Sequence, residues 1–393
     1  MRLAIVTTHP IQYNAPWFRL LAQQQGIDVK VFYTWEASQT IAKYDPGFGR
    51  VVEWDIPLLD GYEYTFVKNV AANQGSHHFK GIDTPTLNTE IEQWGAEAVL
   101  VFGWAYKSHL ACLRYFKGKI PVLFRGDSTL LDRNGGIKEM LKKIFLKFVY
   151  RHIDYVLYVG TNNKEYFLEY GVKESQLVYV PHAIENERFK DSDGNYATRA
   201  NEWKKELAIE GCFNIVFAGK LESKKNPEYL LQLAAKLQDE NLRFVFVGNG
   251  VLEEKLKDTA KHDKRILFVG FQNQQNMPLV YRLANVFVLP SKGPGETWGL
   301  AINEAMACGI PIIASNKTGG AIDLIKGNGL IIDPDDVDTS VRYINRLMND
   351  DVFQQSQQNR SVDLISQFSF QVIVASISSF LKKLESDRKG VQN

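Results

Sequence analysis

Two glutamates eight residues apart, Glu296 and Glu304, flank a glycine-rich turn in the stretch 290–309, PSKGPGETWGLAINEAMACG. Carboxylates at this spacing can act on one ligand only if the chain between them folds to present both, and the neighbouring residues predict such a fold. Val286, Phe287, Val288 and Leu289 form a β-branched and aromatic run that ends at Pro290, the pattern of a buried strand. From Gly299 the apolar Leu300, Ile302, Ala305 and Met306 follow a helical period, and Gly309 with Pro311 beyond it supplies the stop. The predicted helix opens at the turn. Its first amides, at Thr297, Trp298, Gly299 and Leu300, and the positive end of its dipole make an anion site suited to a diphosphate. At about 1.5 Å per residue, Glu304 lies roughly one and a half turns inside the helix. The two carboxylates can thus bracket the diphosphate, one accepting from sugar hydroxyls and the other from ribose hydroxyls. Taken singly, each has an ordinary reading: Glu296 as a loop carboxylate near a helix N-terminus, Glu304 as a solvated helix residue.

The elements that must position this turn recur along the whole chain. Strand-like runs at 3–6, 29–33, 98–102, 121–124, 155–159 and 177–180 alternate with helical stretches such as 16–24 and 137–152. Runs at 214–218, 243–247, 266–269, 286–289, 311–314 and 330–332 repeat the plan, so each half predicts a parallel sheet covered by helices. At 393 residues the chain exceeds what one core usually serves. The expected division is a first domain over 1–184, a polar connector over 185–210, a second domain over 211–366, and a C-terminal segment over 367–393. In that last segment apolar residues at helical spacing over 370–384 can pack back on the first domain, ahead of a charged tail expected to fray.

Composition narrows the function classes. Forty-six basic against forty-five acidic residues give a net charge of +1, and no basic aromatic patch is present, which disfavours a nucleic-acid partner. Cys112, Cys212 and Cys308 are odd in number and outside CxxC spacing, so neither a disulfide framework nor a zinc site is expected, and a reducing, cytoplasmic setting follows. The apolar start is too short for a signal-peptide core and no run approaches a membrane span, so a soluble or peripheral protein is expected. The helical run 138–152 is basic on one side and strongly apolar on the other; it can ride on an anionic membrane surface or pack on the core behind a solvated lysine face.

The stretch 290–309, with its Pro-Ser start and Glu-Ala-Met-Ala-x-Gly end, closely resembles the E-x7-E signature of family 4 (group 1) retaining glycosyltransferases. The run 217–227, FAGKLESKKNP, resembles that family's G-R-L-x-x-x-K turn, with Lys220 in place of the arginine and Lys225 as the second cation. Two ammonium groups at a strand-to-helix turn neutralise phosphate charge, although lysine lacks the bidentate fork of arginine. The glycine turn at Gly248 and Gly250, the segment around Phe271, and the pair Gly319 and Gly320 followed by Asp323 are weaker likenesses, and the first two glycines read more simply as tight-turn residues.

The resemblance implies an α/β chain of the GT-B fold: two Rossmann-like doubly wound domains facing a central cleft, with the donor held by the second. It implies Glu296, Lys220 and Lys225 as catalytic groups, and Glu304, Gly299, Leu300, Thr297, Trp298, Phe271 and Gly219 as donor contacts. In the first half the likeness is thin. Gly126 stands where the family often has a donor-facing histidine, leaving His9, Tyr13, Arg125 and Asp127 as acceptor-side or cleft candidates, each with an equally ordinary structural reading. The expected reaction is retaining transfer of a hexosyl group from a nucleotide diphosphate sugar to a glycan or lipid-linked glycan, without cofactor; the string from Asp333 to Asp336 reads as a turn, so no metal is assigned. A nucleotide-sugar epimerase on the same architecture, or a degenerate nucleotide-sugar-binding protein, are the alternatives.

Overall fold

The computed structural model describes residues 1–35, 42–45, 50–53, 55–133 and 135–391. Its strands, in chain order, are β1 (Arg2–Thr7), β2 (Asp28–Tyr33), β3 (Ala42–Asp45), β4 (Arg50–Glu53), β5 (Glu63–Phe66), β6 (Ala98–Phe102), β7 (Val122–Arg125), β8 (Tyr155–Tyr158) and β9 (Leu177–Tyr179). They continue as β10 (Phe213–Ala218), β11 (Leu242–Val247), β12 (Ile266–Val269), β13 (Val286–Leu289), β14 (Ile312–Ser315) and β15 (Gly329–Ile332). Two parallel sheets result, ordered β5-β2-β1-β6-β7-β8-β9 and β12-β11-β10-β13-β14-β15. Both are doubly wound: the chain runs outward from β1 or β10 in one direction, then returns to its other side. Helices on both faces explain why Leu3, Ala4, Ile5 and Val6 are all fully buried, as are Val286, Phe287 and Val288, rather than alternating with polar residues.

Contacts divide the chain into two compact units, Met1–Ile41 with Pro57–His182 and Phe370–Asn393, and Ala42–Ile56 with Ala183–Ser369. The excursion of residues 42–56 into the second unit has no counterpart in the sequence-based division. Its antiparallel β3–β4 hairpin is short, and Asp55 beside it accepts from the Gln275 backbone N–H at 3.2 Å while its carbonyl accepts from the Gln275 amide at 2.7 Å. The connector predicted over 185–210 belongs to the second unit and carries helices Asn186–Phe189 and Asn195–Glu206. Its polar composition serves local capping, since the Asp191 carboxylate accepts from the amides of Tyr196 at 2.9 Å and Ala197 at 2.7 Å. The C-terminal helix Phe370–Val391 lies with the first unit, against the helix Ala15–Ala22, and continues through most of the stretch expected to fray.

The helix Ile137–Tyr150 departs from the core-packed reading. Leu146, Val149 and Tyr150 reach the core, but Ile137, Met140, Leu141, Ile144, Phe145 and Phe148 face outward at 39–74% exposure. A second apolar face therefore remains on the surface. No helix among the described residues is long and apolar enough to cross a membrane.

Candidate active site

In an open parallel sheet, ligands sit beyond the carboxyl ends of the strands where the winding reverses. For the second unit that point lies between β10 and β13, which pair with Ile215 opposite Val286. The loops that leave these two strands, 219–226 and 290–299, carry the predicted cations and the first glutamate, and they are bonded directly to one another. The Lys292 amide donates to the Lys224 carbonyl at 2.9 Å, and the Asn226 side-chain amide donates to the Pro290 carbonyl at 3.1 Å. Asn226 holds a left-handed backbone at φ 54°, a conformation asparagine tolerates. This stitching brings Lys225 onto Glu296 across 71 residues of chain, and the ammonium donates to Glu296 Oε2. The fully buried Ser291 hydroxyl donates to the same oxygen at 3.1 Å. The pair is well shielded from water, with side-chain exposures of 21% for Lys225 and 9% for Glu296.

A third loop fixes the strip that follows Glu296. The amides of Gly319 and Gly320 donate to the carbonyls of Glu296 and Trp298, both at 2.9 Å, while Ser315 Oγ donates to the Ser291 carbonyl at 2.6 Å. Gly299 then caps the helix Leu300–Ala307 at φ 91°, and a Cβ there would lie 2.6 Å from Thr318 Cγ2. Only glycine serves at that corner. The helix opens on the loop that carries Glu296, so its first-turn amides and the Lys225–Glu296 pair share one locality.

The remaining predicted residues sort by burial. Glu304 is buried inside that helix, and Tyr281 Oη donates to its Oε2 at 2.6 Å. A solvated glutamate is thus excluded, and any ribose contact is confined to the 2% of Glu304 that stays open. Trp298 is buried too: its indole N–H donates to Asn303 Oδ1 at 2.9 Å and its ring packs 6.1 Å from Phe368, so its side chain is a packing anchor and any donor contact there falls to its backbone. Thr297 and Leu300 are half-buried at the helix start, and Lys220 is half-buried directly after Gly219, on the loop that carries Lys225. Phe271 is half-buried, and its amide donates to Asn249 Oδ1 at 2.8 Å. Gly248 and Gly250 are structural: a Cβ on Gly248 would lie 2.1 Å from the Gly219 carbonyl oxygen, because the loops after β10 and β11 touch backbone to backbone.

In the first unit, His9 and Tyr13 lie on the loop after β1, beside that sheet's own reversal point between β1 and β6. His9 Nδ1 shares a 2.8 Å hydrogen bond with Thr8 Oγ1, and its ring meets Trp35 edge-on at 5.6 Å. Arg125 is not a cleft cation. It is 3% exposed, its guanidinium donates to the carbonyls of Val180 and Pro181 at 2.8 and 3.1 Å, and burial pushes its pKa down to about 10 against the opposing pull of Asp127. Asp127 is half exposed, 3.9 Å from His182 Nε2.

Ser291, Asn226, Tyr281 and Asn249 were not singled out from sequence. Asn226 had a signal, being an asparagine before a proline at a turn. Tyr281 and Asn249 had none, since their partners are 23 and 22 residues away on other elements, and the Ser291 contact with Glu296, five residues on, depends on how their shared loop folds.

These features define an α/β unit of the doubly wound type, with lysines, a carboxylate and a helix start gathered at its reversal point. Residues 199–362 match the model of the family described as glycosyl transferases group 1. The chain is 27% identical over 251 residues, 59% of its length and 62% of the relative's, to the UDP-Gal:alpha-D-GlcNAc-diphosphoundecaprenol alpha-1,3-galactosyltransferase of Escherichia coli. It is 30% identical over 175 residues, 43% of its length and 45% of the relative's, to the O-antigen chain mannosyltransferase B of Escherichia coli. The matched stretches span 36–62% of the lengths of the first three curated relatives. Among solved structures, Anabaena HepE in complex with UDP superposes with a TM-score of 0.72 at 15% identity, covering 98% of this chain and all of that one. A glycosyltransferase from Rickettsia africae superposes with a TM-score of 0.73 at 13% identity, over 97% and 98% of the two chains. With two Rossmann-like parallel-sheet units and glycosyltransferase neighbours over nearly its full length, the chain has the GT-B fold.

Proposed function

We propose that this chain is a retaining, metal-independent glycosyltransferase that moves a hexosyl group from a nucleotide diphosphate sugar to a glycan or lipid-linked glycan acceptor, working at the cytoplasmic side. The observation that carries the reading is the convergence of Lys225, Glu296 and the start of the helix Leu300–Ala307 where β10 and β13 part. Two lysines and one carboxylate leave that corner with a positive excess, and first-turn helix amides add to it, which suits a diphosphate. Without donor, Lys225 is neutralised by Glu296. With donor, Lys225 and Lys220 would turn to the phosphates and stabilise the departing nucleotide diphosphate, freeing the Glu296 carboxylate to accept from sugar hydroxyls. Tyr281 would hold Glu304 in place for the ribose. Further support comes from relatives named for transfer of galactose from UDP-Gal to a diphosphoundecaprenol-linked sugar and of mannose to an O-antigen chain, and from HepE, solved in complex with UDP-glucose.

The test incubates purified protein with nucleotide sugars and glycan or lipid-linked acceptors, with Glu296→Ala beside the wild type, and reads the anomeric configuration of the product by NMR. Transfer with retention that survives EDTA and is lost in Glu296→Ala is expected. Equal turnover by the two proteins would remove the site assignment, and an interconverted donor in the absence of acceptor would identify an epimerase instead.

A further inference from the structure

We infer that the helix Ile137–Tyr150 is a docking face for an anionic lipid surface. Six large apolar side chains, Ile137, Met140, Leu141, Ile144, Phe145 and Phe148, recur at steps of three and four residues and form one stripe along its outer side. At about 1.5 Å per residue the stripe is roughly 17 Å long. Trp104, half-buried, extends it through an edge-on contact of its ring with Phe145 at 5.3 Å. Indole and phenyl groups at the margin of an apolar strip suit the headgroup level of a bilayer.

The charge arrangement selects the occupant. At 100° per residue, Lys138 projects along one margin of the stripe and Lys147 along the other, while Arg151 lies over the Phe148 ring at 4.1 Å. None of these three is ion-paired among the described residues. The helix's one acidic residue, Glu139, is turned away from the stripe, accepts from Tyr170 Oη and is surrounded by Arg133 and Lys142. The helix's own exposed side is therefore apolar with cationic residues along its margins, in a chain whose net charge is only +1. Pairing with a second copy of the same stripe would set these lysines against their own kind, which disfavours a dimer. An anionic bilayer accepts both features: the stripe enters the boundary between headgroups and acyl chains, and the rim stays with the headgroups. The inference does not depend on the transferase reading, because none of these residues belongs to the corner around Lys225.

The full-length protein is sedimented with vesicles of phosphatidylcholine alone and of phosphatidylcholine mixed with phosphatidylglycerol. Binding to the mixed vesicles at least about tenfold tighter, weakened by high salt, is expected. Ile144→Asp with Phe148→Asp should bring binding down to the neutral-vesicle level, and Lys138→Glu with Lys147→Glu should abolish the preference for anionic lipid. Because all four positions are exposed, both double variants should melt at the wild-type temperature. Three results would each overturn the inference: wild type left in the supernatant with mixed vesicles, double variants that bind as wild type does, or a lipid-free dimer that becomes monomeric in Ile144→Asp with Phe148→Asp.

Discussion

Lys225→Met is the most searching perturbation of the proposed site, because the structure makes opposite demands on the two members of its ion pair. A cation about 4 Å from a phosphate at an effective dielectric constant near 20 interacts by roughly 4 kcal/mol. Part of that is offset, since Lys225 already satisfies Glu296 and must relinquish it when the donor enters. A net loss of about 2–3 kcal/mol, or roughly 30- to 150-fold in nucleoside diphosphate affinity, follows. The substitution also strands the Glu296 carboxylate, 9% exposed, beside the arriving phosphates. Glu296→Gln should do the reverse for binding: it keeps the Ser291 contact and removes the repelling charge, so the diphosphate binds no more weakly. Transfer nevertheless falls by about 10² or more, because the sugar loses its orienting carboxylate. The double variant should recover part of the affinity lost in Lys225→Met. Calorimetric titration with UDP, GDP and ADP, using whichever base binds the wild type, measures all four proteins, and the transfer assay separates binding from turnover. The reasoning is refuted if Lys225→Met binds as tightly as wild type, or if Glu296→Gln weakens diphosphate binding as much as Lys225→Met does.

Three further outcomes follow from contacts elsewhere. Tyr281→Phe removes the 2.6 Å donor from the buried Glu304 carboxylate and should cost about 1–3 kcal/mol, read as a lowered denaturant midpoint; an unchanged midpoint would show that the contact carries no weight. Gly248→Ala sets a methyl 2.1 Å from the Gly219 carbonyl oxygen at φ 130°, so a loss of about 3 kcal/mol is expected, with weakened nucleotide binding as the 219–226 loop moves; wild-type melting would contradict the backbone contact. Burial pushes the His109 pKa down to about 4 from 6.5, so between those values the unfolded chain binds the proton that the folded one refuses. Stability should therefore be complete above pH 6.5 and fall as the pH drops toward 4, by at most about 3 kcal/mol, and His109→Gln should flatten that slope.

Much of the architecture was legible in the sequence because parallel strands covered on both faces are nearly continuous apolar runs. β6, β12 and β13 begin and end where their runs do. β5, a short edge strand of sequence EYTF with no buried residue, gave no such signal, and the β3–β4 hairpin gave none either. At the site, the helix start at Gly299 and the cation turn at 220–225 were readable from glycines, prolines and periodicity, which are local properties. The burial of the Glu304 and Trp298 side chains was not legible because burial depends on what packs against a residue, here Tyr281, Asn303 and Phe368. Arg125 misled for the same reason, since the carbonyls it holds lie 55 and 56 residues downstream.

The sequence by itself determined two repeats of strand and helix, a helix that opens on a glycine turn, and the residue types available there to meet a diphosphate. Short-range sterics, backbone capping and hydrophobic period decide these, and each acts over a few residues. Only the tertiary structure decided that Lys225 meets Glu296, that Glu304 is held by Tyr281, and that the apolar stripe of the helix Ile137–Tyr150 faces outward. The first of those outcomes depends on strand order, which placed β13 rather than β12 beside β10 and so set two loops 71 residues apart against each other; the other two depend on which elements pack against each helix.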